Sequence, residues 1–226
     1  MVRRNVSPQV GEDKVVALTF DDGPWPESTA AVLDVLADQG AKATFFTVGN
    51  RIDGEGVDLV KRAAAEGHQI CSHSFDHAAG DGQSVNLGYM TPEDQVAEVQ
   101  KGYEAIEAAT GAEASHVFRT PGGNYGEGVM RNVGPLISAE IGWNIDSQDW
   151  RKPGAAAIAN QVKNAWPGAS CSCTTEAATD RKRSRRSKTR SPISSRRATA
   201  SSPWTSCSAI RSPKPRFCRS PDEGLL

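Results

Sequence analysis

The sequence predicts an α/β fold in which short parallel strands alternate with helices. Three observations indicate it: short apolar runs alternate with helical periodicity, glycine or proline closes most of these segments, and polar clusters follow directly after the apolar runs. Alternation of this kind is typical of a parallel sheet covered by helices. In such folds the functional residues are expected beyond the carboxyl ends of the strands.

The first half of the chain contains three predicted strands and two predicted helices. The apolar run 15–20 predicts a buried strand, which the turn sequence at 21–24 ends. The elements that follow are a helix near 28–39, a strand at 43–48, a helix near 56–66 and a strand at 68–71.

The second half opens with the clearest helix signal in the chain. Thr91 is a capping residue, Pro92 suits the first helical turn, and two acidic residues follow. Apolar residues then recur at spacings of three and four as far as Gly111, so a helix is predicted between these points. Apolar runs at 117–118 and 141–145 predict two further strands.

Charge divides the chain into an acidic body and a basic end. Residues 170–226 carry 13 Lys and Arg but 4 Asp and Glu, whereas the whole chain has a net charge of −1. The sequence therefore predicts three parts: a polar N-terminal segment at 1–13, an α/β domain at 14–169, and a basic Ser/Arg-rich tail at 170–226. The tail shows no strand or helix period, and its composition is typical of disorder.

The polar segment 1–13 has neither the apolar core of a signal peptide nor that of a membrane anchor. No run approaches the roughly 18 apolar residues that a membrane span needs. The cellular location of the protein is left open by these observations.

Two adjacent carboxylates, Asp21 and Asp22, follow the first predicted strand. Because neighbouring side chains at a strand end point in different directions, one can ligate a metal ion while the other handles a proton. An ordinary turn is the alternative interpretation, since Asp-Gly-Pro sequences are common in turns.

His73 and His77 follow the third predicted strand at a spacing of i, i+4. In a helical turn this spacing places both imidazoles on one face, where they can share one ion, and Asp76 can support a ligand by a hydrogen bond. With Asp22 they form a set of two histidines and one carboxylate, which is typical of a catalytic metal site with open positions. The alternative is a pair of polar surface histidines.

Two more polar clusters follow later strands. Arg119 begins a glycine-rich loop, in which the guanidinium can hold a carboxylate by two parallel hydrogen bonds and backbone N–H groups can approach a substrate oxygen. Trp150 ends the cluster at 146–150 and can stack on a sugar ring. The alternatives are an ordinary loop and a buried tryptophan beside a cap.

Taken together, these clusters resemble the motifs of the polysaccharide deacetylases of carbohydrate esterase family four, whose domain is also called NodB-type. The resemblance covers residues 14–169 and is carried by the segments 19–24, 73–77, 119–123 and 146–150. It implies a distorted (β/α) barrel of the NodB type, incomplete here at its C-terminal end. It also implies a hydrolase that removes acetyl groups from N-acetylated or O-acetylated polysaccharide.

The resemblance implies catalytic roles for matching residues. Asp21 would be the general base, Arg119 would tether it, and Asp149 would orient a catalytic histidine further along the chain. The backbone of the third motif, at Pro121 and Gly122, would contact the substrate and help to stabilise the oxyanion.

The resemblance also implies a metal ion and a substrate class. Asp22, His73 and His77 would hold a divalent ion, usually zinc, with cobalt or another divalent ion in some family members. Trp150 would contact the sugar. The substrate would be an acetylated polysaccharide or oligosaccharide, with peptidoglycan, chitin-like polymers and acetylated xylan all compatible, and no nucleic acid partner is expected.

The chain departs from the family where a fifth motif is expected. That motif is an apolar strand ending in Leu-His, which should begin directly after Ala169 and supply the general acid. Here Ser, Cys and Thr follow, and no histidine occurs after His116. Losing a general acid costs roughly 10²–10⁴-fold in rate, so little activity is expected of this chain.

A shifted reading frame after Ala169 is one hypothesis for this departure. In the neighbouring frame, the junction of the codons for Cys173 and Thr174 encodes only histidine or tyrosine. With the common serine codons, the residues before that junction become apolar.

Two rival interpretations remain open from the sequence. The first is an inactive remnant that binds carbohydrate through a metal ion. The second is a nucleic-acid-binding protein that uses the basic stretch 181–197, although that stretch has no interleaved aromatic residues.

Overall fold

The computed structural model describes residues 15–80, 82, 84–124 and 126–175. These residues form seven strands and five α-helices, which alternate except between the fifth and sixth strands. The strands are β1 (Ala17–Gly23), β2 (Thr44–Thr47), β3 (Gln69–Ser72), β4 (Ser115–Phe118), β5 (Ala139–Glu140), β6 (Ile145–Asp146) and β7 (Ser170–Thr174). The helices are α1 (Pro26–Gln39), α2 (Glu55–Ala65), α3 (Pro92–Thr110), α4 (Glu127–Val133) and α5 (Ala155–Lys163).

All seven strands belong to one parallel sheet with the order β5-β4-β3-β2-β1-β7-β6. The two edge strands, β5 and β6, are separated in the chain only by residues 141–144. Five residue steps span at most about 18 Å, whereas the edges of a flat seven-stranded sheet would lie about 29 Å apart. The sheet must therefore curl, and the predicted distorted barrel is confirmed as an open, curled parallel sheet.

The first four strands and the first three helices match the prediction within a few residues. The long helix α3 shows why: the Thr91 hydroxyl accepts a hydrogen bond from the Asp94 N–H at 3.2 Å, and Gly111 ends the helix with a φ of 71°. Strong capping signals of this kind act locally, so they are readable without the tertiary structure.

The prediction of one strand at 141–145 is wrong. Residues 139–140 pair with β4 at one edge of the sheet, and residues 145–146 pair with β7 at the other. Between them, the carbonyls of Ile141 and Gly142 accept hydrogen bonds from the Arg119 side chain at 2.9 and 3.1 Å. These two carbonyls are therefore satisfied by a buried guanidinium, while the Ile141 N–H still donates to the Phe118 carbonyl at 2.9 Å.

The expectation that regular structure ends at residue 169 is wrong for residues 170–174. They form β7, which pairs with β1 from Ala17↔Ser170 to Asp21↔Thr174. Because side chains alternate along a strand, Cys171 and Cys173 join the hydrophobic core while Ser172 points to the polar side of β1. Pairing with β1 and β6 thus overrides the weak preference of these residues for strand structure.

Several predictions fall outside the described residues. These are the N-terminal segment 1–13, the basic stretch 181–197 and the rest of the tail beyond residue 175. Among the helices that are described, none is both long enough and apolar enough to cross a lipid bilayer.

Candidate active site and metal centre

The parallel sheet brings the polar clusters of the sequence to one rim. Asp21 and Asp22 lie in the last part of β1, His73 follows β3, Arg119 follows β4, and Asp149 comes three residues after β6. Since all strands run in the same direction, these ends meet at the carboxyl edge of the sheet.

Asp22, His73 and His77 converge so that one potential ligand atom from each lies within 4.8 Å of the others. Oδ1 of Asp22 lies 3.1 Å from Nε2 of His77 and 3.4 Å from Nε2 of His73. Two ligands of a tetrahedral zinc ion with bonds of 2.0–2.1 Å lie about 3.3–3.4 Å apart. The donor set and its spacing therefore fit a divalent metal ion.

The tautomer of His73 is also suited to metal binding. Its Nδ1 lies 2.7 Å from the carbonyl oxygen of Arg119, and the contact is buried. Because a carbonyl can only accept, this nitrogen carries a proton, and Nε2 is left facing Asp22 and His77, where it can ligate a metal ion once its own proton is lost.

The i, i+4 spacing predicts that the two histidines lie on a helical turn. In the structure they lie on a loop instead. Ser74 and His77 both adopt left-handed backbone conformations, with φ of 66° and 54°. The Ser74 hydroxyl accepts a hydrogen bond from the Ala78 N–H at 3.0 Å, and the imidazole centroids come to 5.3 Å. The same convergence is thus reached by a tight loop. Asp76 accepts a hydrogen bond from Asn50 at 2.9 Å.

Asp22 is held in its ionised form. Burial raises the pKa of its carboxyl, but hydrogen bonding and attraction to His73 and His77 outweigh this effect and bring the pKa far below the usual range. A carboxylate that stays ionised in a partly buried position is a suitable metal ligand.

Asp21 is buried, and both of its carboxylate oxygens are occupied. Nη1 of Arg119 donates to Oδ1 at 2.6 Å, and the hydroxyl of Ser172 donates to Oδ2 at 2.9 Å. The Thr175 N–H donates to the Asp21 carbonyl at 2.8 Å. The base candidate is therefore held from β1, β4 and β7 at once.

Arg119 is fully buried, and its guanidinium bonds to several parts of the interior. Nη1 also donates to the Thr19 hydroxyl at 2.7 Å, while Nε and Nη2 donate to two carbonyls of the 141–144 segment. Its guanidinium carbon lies 4.0 Å from the ring centroid of Phe46. The sequence predicts two parallel hydrogen bonds from the guanidinium to one carboxylate. In the structure only Nη1 donates to Asp21, because Nε and Nη2 donate to the carbonyls of Ile141 and Gly142.

A family model described as "Polysaccharide deacetylase" matches residues 9–134, which is more than half of the chain. The chain belongs to the polysaccharide deacetylase family. It is accordingly a hydrolase of the carbohydrate esterase type, as the motif resemblance predicts.

Individual relatives of this deacetylase agree with the family assignment. A chitooligosaccharide deacetylase of Bradyrhizobium sp. (strain ANU 289) is 33% identical over 161 residues, covering 71% of this chain and 69% of the relative. Peptidoglycan-N-acetylglucosamine deacetylase PgdA of Listeria monocytogenes is 36% identical over 69% of this chain and 31% of that protein. A family 4 carbohydrate esterase from Streptomyces lividans, solved with acetate, has a TM-score of 0.65 and 26% identity over 74% of this chain and 81% of its own.

The third-motif loop of the deacetylase follows Arg119 directly. Pro121 and Gly122 lie in a 3-10 turn at Pro121–Gly123, in which Gly122 adopts a φ of 63°. A Cβ on Gly122 would come to 3.0 Å from the Asn124 amide nitrogen, so glycine suits both the conformation and the space.

Asp149 is bonded to the end of β7. Its carboxylate accepts hydrogen bonds from the Thr174 N–H at 2.7 Å and from the Thr174 hydroxyl at 3.2 Å. Burial raises the pKa of Asp149 against the opposing effect of these hydrogen bonds. Trp150 is 52% exposed, and the guanidinium carbon of Arg151 lies 4.5 Å from its ring centroid.

Three side chains of the site were not predicted from the sequence: Thr19, Arg51 and Ser172. Thr19 had a readable signal, because it lies two positions before Asp21 and so faces the same side of β1. Arg51 donates to the Asp22 carbonyl and stacks on Trp25 at 4.5 Å, and nothing local indicates this contact. Ser172 lies in the segment that composition assigns to the tail.

An open pocket of about 530 Å³ begins at His77. Its walls combine polar and apolar groups. They are formed by Trp25, Asn50, Arg51, Asp76, His77, Ser84, Val85 and Met90. A mixed wall of this kind, beside a candidate metal centre, provides room for a sugar.

Proposed function

We propose that this chain is a metal-dependent deacetylase of polymers that contain N-acetylglucosamine. The observation that carries the proposal is the convergence of Asp22, His73 and His77 beside the buried Asp21–Arg119 pair. The names of the relatives favour chitooligosaccharide or peptidoglycan over acetylated xylan as the substrate.

Asp22, His73 and His77 would hold the metal ion, and zinc suits this donor set best, although cobalt or another divalent ion is compatible. When bound, the ion supplies polarisation of the substrate carbonyl and a water whose pKa falls from about 15.7 toward roughly 7. The remaining chemistry belongs to residues of the chain.

Asp21 accepts the proton of the attacking water, and the hydrogen bonds from Arg119 and Ser172 hold its carboxylate in position. As oxygen bonds to the carbonyl carbon, negative charge develops on the carbonyl oxygen. The N–H of Gly122 is assigned to the oxyanion by the motif resemblance, because a backbone N–H group can stabilise the charge that develops there. The carbon–nitrogen bond then breaks, and the sugar nitrogen must receive a proton.

No histidine is available for that last proton transfer where the family expects one. Thr174 occupies the end of β7 and takes the hydrogen bonds of Asp149 that an imidazole would need. We therefore propose that this chain turns over substrate slowly. An inactive metal-dependent carbohydrate-binding remnant is the second candidate, and the same observation favours it. The hypothesis of a shifted frame after Ala169 is compatible with slow turnover and with an inactive remnant, because either would follow from loss of the histidine.

The test is acetate release from N-acetylated chitooligosaccharide and from peptidoglycan, with added zinc. Two proteins are compared: this chain and a version restored to the neighbouring frame after Ala169. We expect the restored protein to release acetate about 10²–10⁴-fold faster, and a chelator to abolish release by both.

Equal rates from both proteins would contradict the proposed role of the missing acid. Tight binding of the oligosaccharide by this chain without acetate release would establish the remnant. If the restored protein neither binds nor deacetylates either polymer, the proposed substrate class is wrong.

A further inference from the structure

A second pocket continues from the one at His77. It has a volume of about 380 Å³ and shares Val85 and Met90 with the first. The two pockets therefore form one surface that leads from the candidate metal centre, past these two apolar side chains, to Tyr89 and Lys101. We call this surface the Tyr89 track.

Two large apolar side chains stand out of this surface. Tyr89 is 87% exposed and Val85 is 58% exposed. Single exposed apolar residues are common on proteins, but here both lie on a surface continuous with the candidate active site. A polymeric substrate held at the metal centre must leave it along some surface, and this one is lined by an aromatic ring.

The backbone beneath Tyr89 is rigidly supported although its ring is exposed. Leu87 is fully buried, and its N–H donates to the carbonyl of Ala78, next to His77, at 2.8 Å. Asn86 caps the 3-10 turn Leu87–Tyr89 by accepting from the Gly88 N–H at 2.8 Å.

The side chain of Asn86 also ties this turn to the metal loop. Its amide donates to the carbonyl of Ala79 at 2.9 Å, while the buried amide of Gln95 on α3 donates to the carbonyls of Leu87 and Met90 at 2.9 and 3.2 Å. The position of Tyr89 relative to His77 is thus fixed by hydrogen bonds on both sides of the turn. A backbone held in this way loses little conformational freedom when a ligand stacks on the ring that it carries.

We propose that the Tyr89 track binds the part of the glycan chain that extends away from the acetyl group being removed, with Tyr89 as the platform for a distant sugar ring. Sugar rings present apolar C–H faces to an aromatic ring and hydroxyls to its surroundings. Among the polar groups of the second pocket, Asp94 and Lys101 suit those hydroxyls, whereas the buried Glu98 accepts a hydrogen bond from the Asp76 N–H at 2.6 Å. This inference rests on the proposed function, since it takes the same polymer as the ligand.

The experiment measures the dissociation constants of the full zinc-loaded chain for the dimer and the hexamer of N-acetylglucosamine, with acetate release followed in the same samples. The variants are Tyr89→Ala and Tyr89→Phe. Trp166→Ala is the matched control, because Trp166 is 48% exposed but precedes β7 at the opposite end of the sheet.

We expect Tyr89→Ala to weaken hexamer binding by about 5- to 10-fold, as loss of one aromatic stacking contact predicts, and to leave dimer binding unchanged. Tyr89→Phe keeps the ring and is expected to bind both ligands as the parent does. Trp166→Ala is expected to change neither constant.

Three outcomes would overturn the inference. The first is parent-like hexamer binding by Tyr89→Ala, and the second is an equal loss for dimer and hexamer. The third is an effect of Tyr89→Ala on the oligomeric state alone, which would make the surface a protein interface. If the parent binds neither ligand, the proposed function itself fails, and the inference fails with it.

Discussion

Arg119 connects several elements of the sheet through a single side chain. It is fully buried, and its donors reach Asp21 on β1, Ser172 on β7 and the segment between β5 and β6. A buried charge is tolerated only when it is paired and its hydrogen bonds are satisfied. Arg119 therefore supports both the stability of the interior and the position of the candidate base.

The first prediction concerns this residue. Arg119→Ala leaves the buried Asp21 carboxylate without its counter-charge, so we expect the free energy of unfolding to fall by about 3–5 kcal/mol in urea titrations. Arg119→Lys keeps the charge but not the planar fork, and an intermediate loss is expected.

The control is Arg62→Ala. Arg62 also contacts two carboxylates, Asp34 at 2.8 Å and Glu66 at 2.7 Å, but on the surface. Exposed ion pairs contribute less than about 1 kcal/mol. Equal losses for the two alanine variants would show that burial of Arg119 does not carry the effect.

At the scale of elements, β7 decides how the site is completed. It pairs with β1 along its whole length, places Ser172 on Asp21, and ends at Thr174 against Asp149. Its residues alternate, so that Cys171 and Cys173 pack into the hydrophobic core on one side of the sheet and Ser172 bonds to Asp21 on the other. The strand thus ends where the proposed mechanism needs a general acid, and the residue at that point is Thr174.

The second prediction follows from the end of this strand. Thr174→His places an imidazole next to the Asp149 carboxylate, which can orient it and stabilise its protonated form. We expect acetate release to increase by up to about 10²–10⁴-fold. The measurement is the turnover rate on N-acetylated chitooligosaccharide with zinc.

Thr174→Asn is the matched variant, because an amide of similar size can bond to Asp149 but cannot transfer a proton at neutral pH. A rise in turnover with asparagine would point to a packing effect. An unchanged rate with a correctly folded histidine variant would remove position 174 from the proposed mechanism.

At the scale of the whole molecule, the sheet depends on contacts between its middle and its late strands. β1 lies between β2 and β7, although β7 comes last in the described chain. Removing β7 would expose the edge of β1 and separate β6 from the sheet. Unpaired strand edges also favour association between molecules.

The third prediction compares two truncated chains. The chain 1–175 keeps every strand of the described sheet, so we expect one cooperative thermal transition close to that of the full chain. The chain 1–169 lacks β7, and we expect it to lose that transition or to aggregate. Calorimetry with light scattering distinguishes these results, and indistinguishable transitions for the two chains would contradict the role given to β7.

The sequence by itself determined the early strands and helices, the family, and the candidate metal ligands Asp22, His73 and His77, which the structure brings together. Each of these depends on local patterns: the apolar run before Asp21, the cap at Thr91, and the spacing of His73 and His77. Such patterns act over a few residues, so they can be recognised without knowledge of the distant contacts.

Only the tertiary structure decided how these pieces meet. The Asp21–Arg119 contact joins residues 98 positions apart, and the Asp21–Ser172 contact joins residues 151 apart. Residues 139–146 divide between the two edges of the sheet because the sheet curls. β7 forms because β1 and β6 offer backbone groups with which it can pair. Neither cause leaves a local signal in the sequence. Long-range pairing, not local preference, selects these features, because a weak strand former is stabilised by its neighbours on both sides.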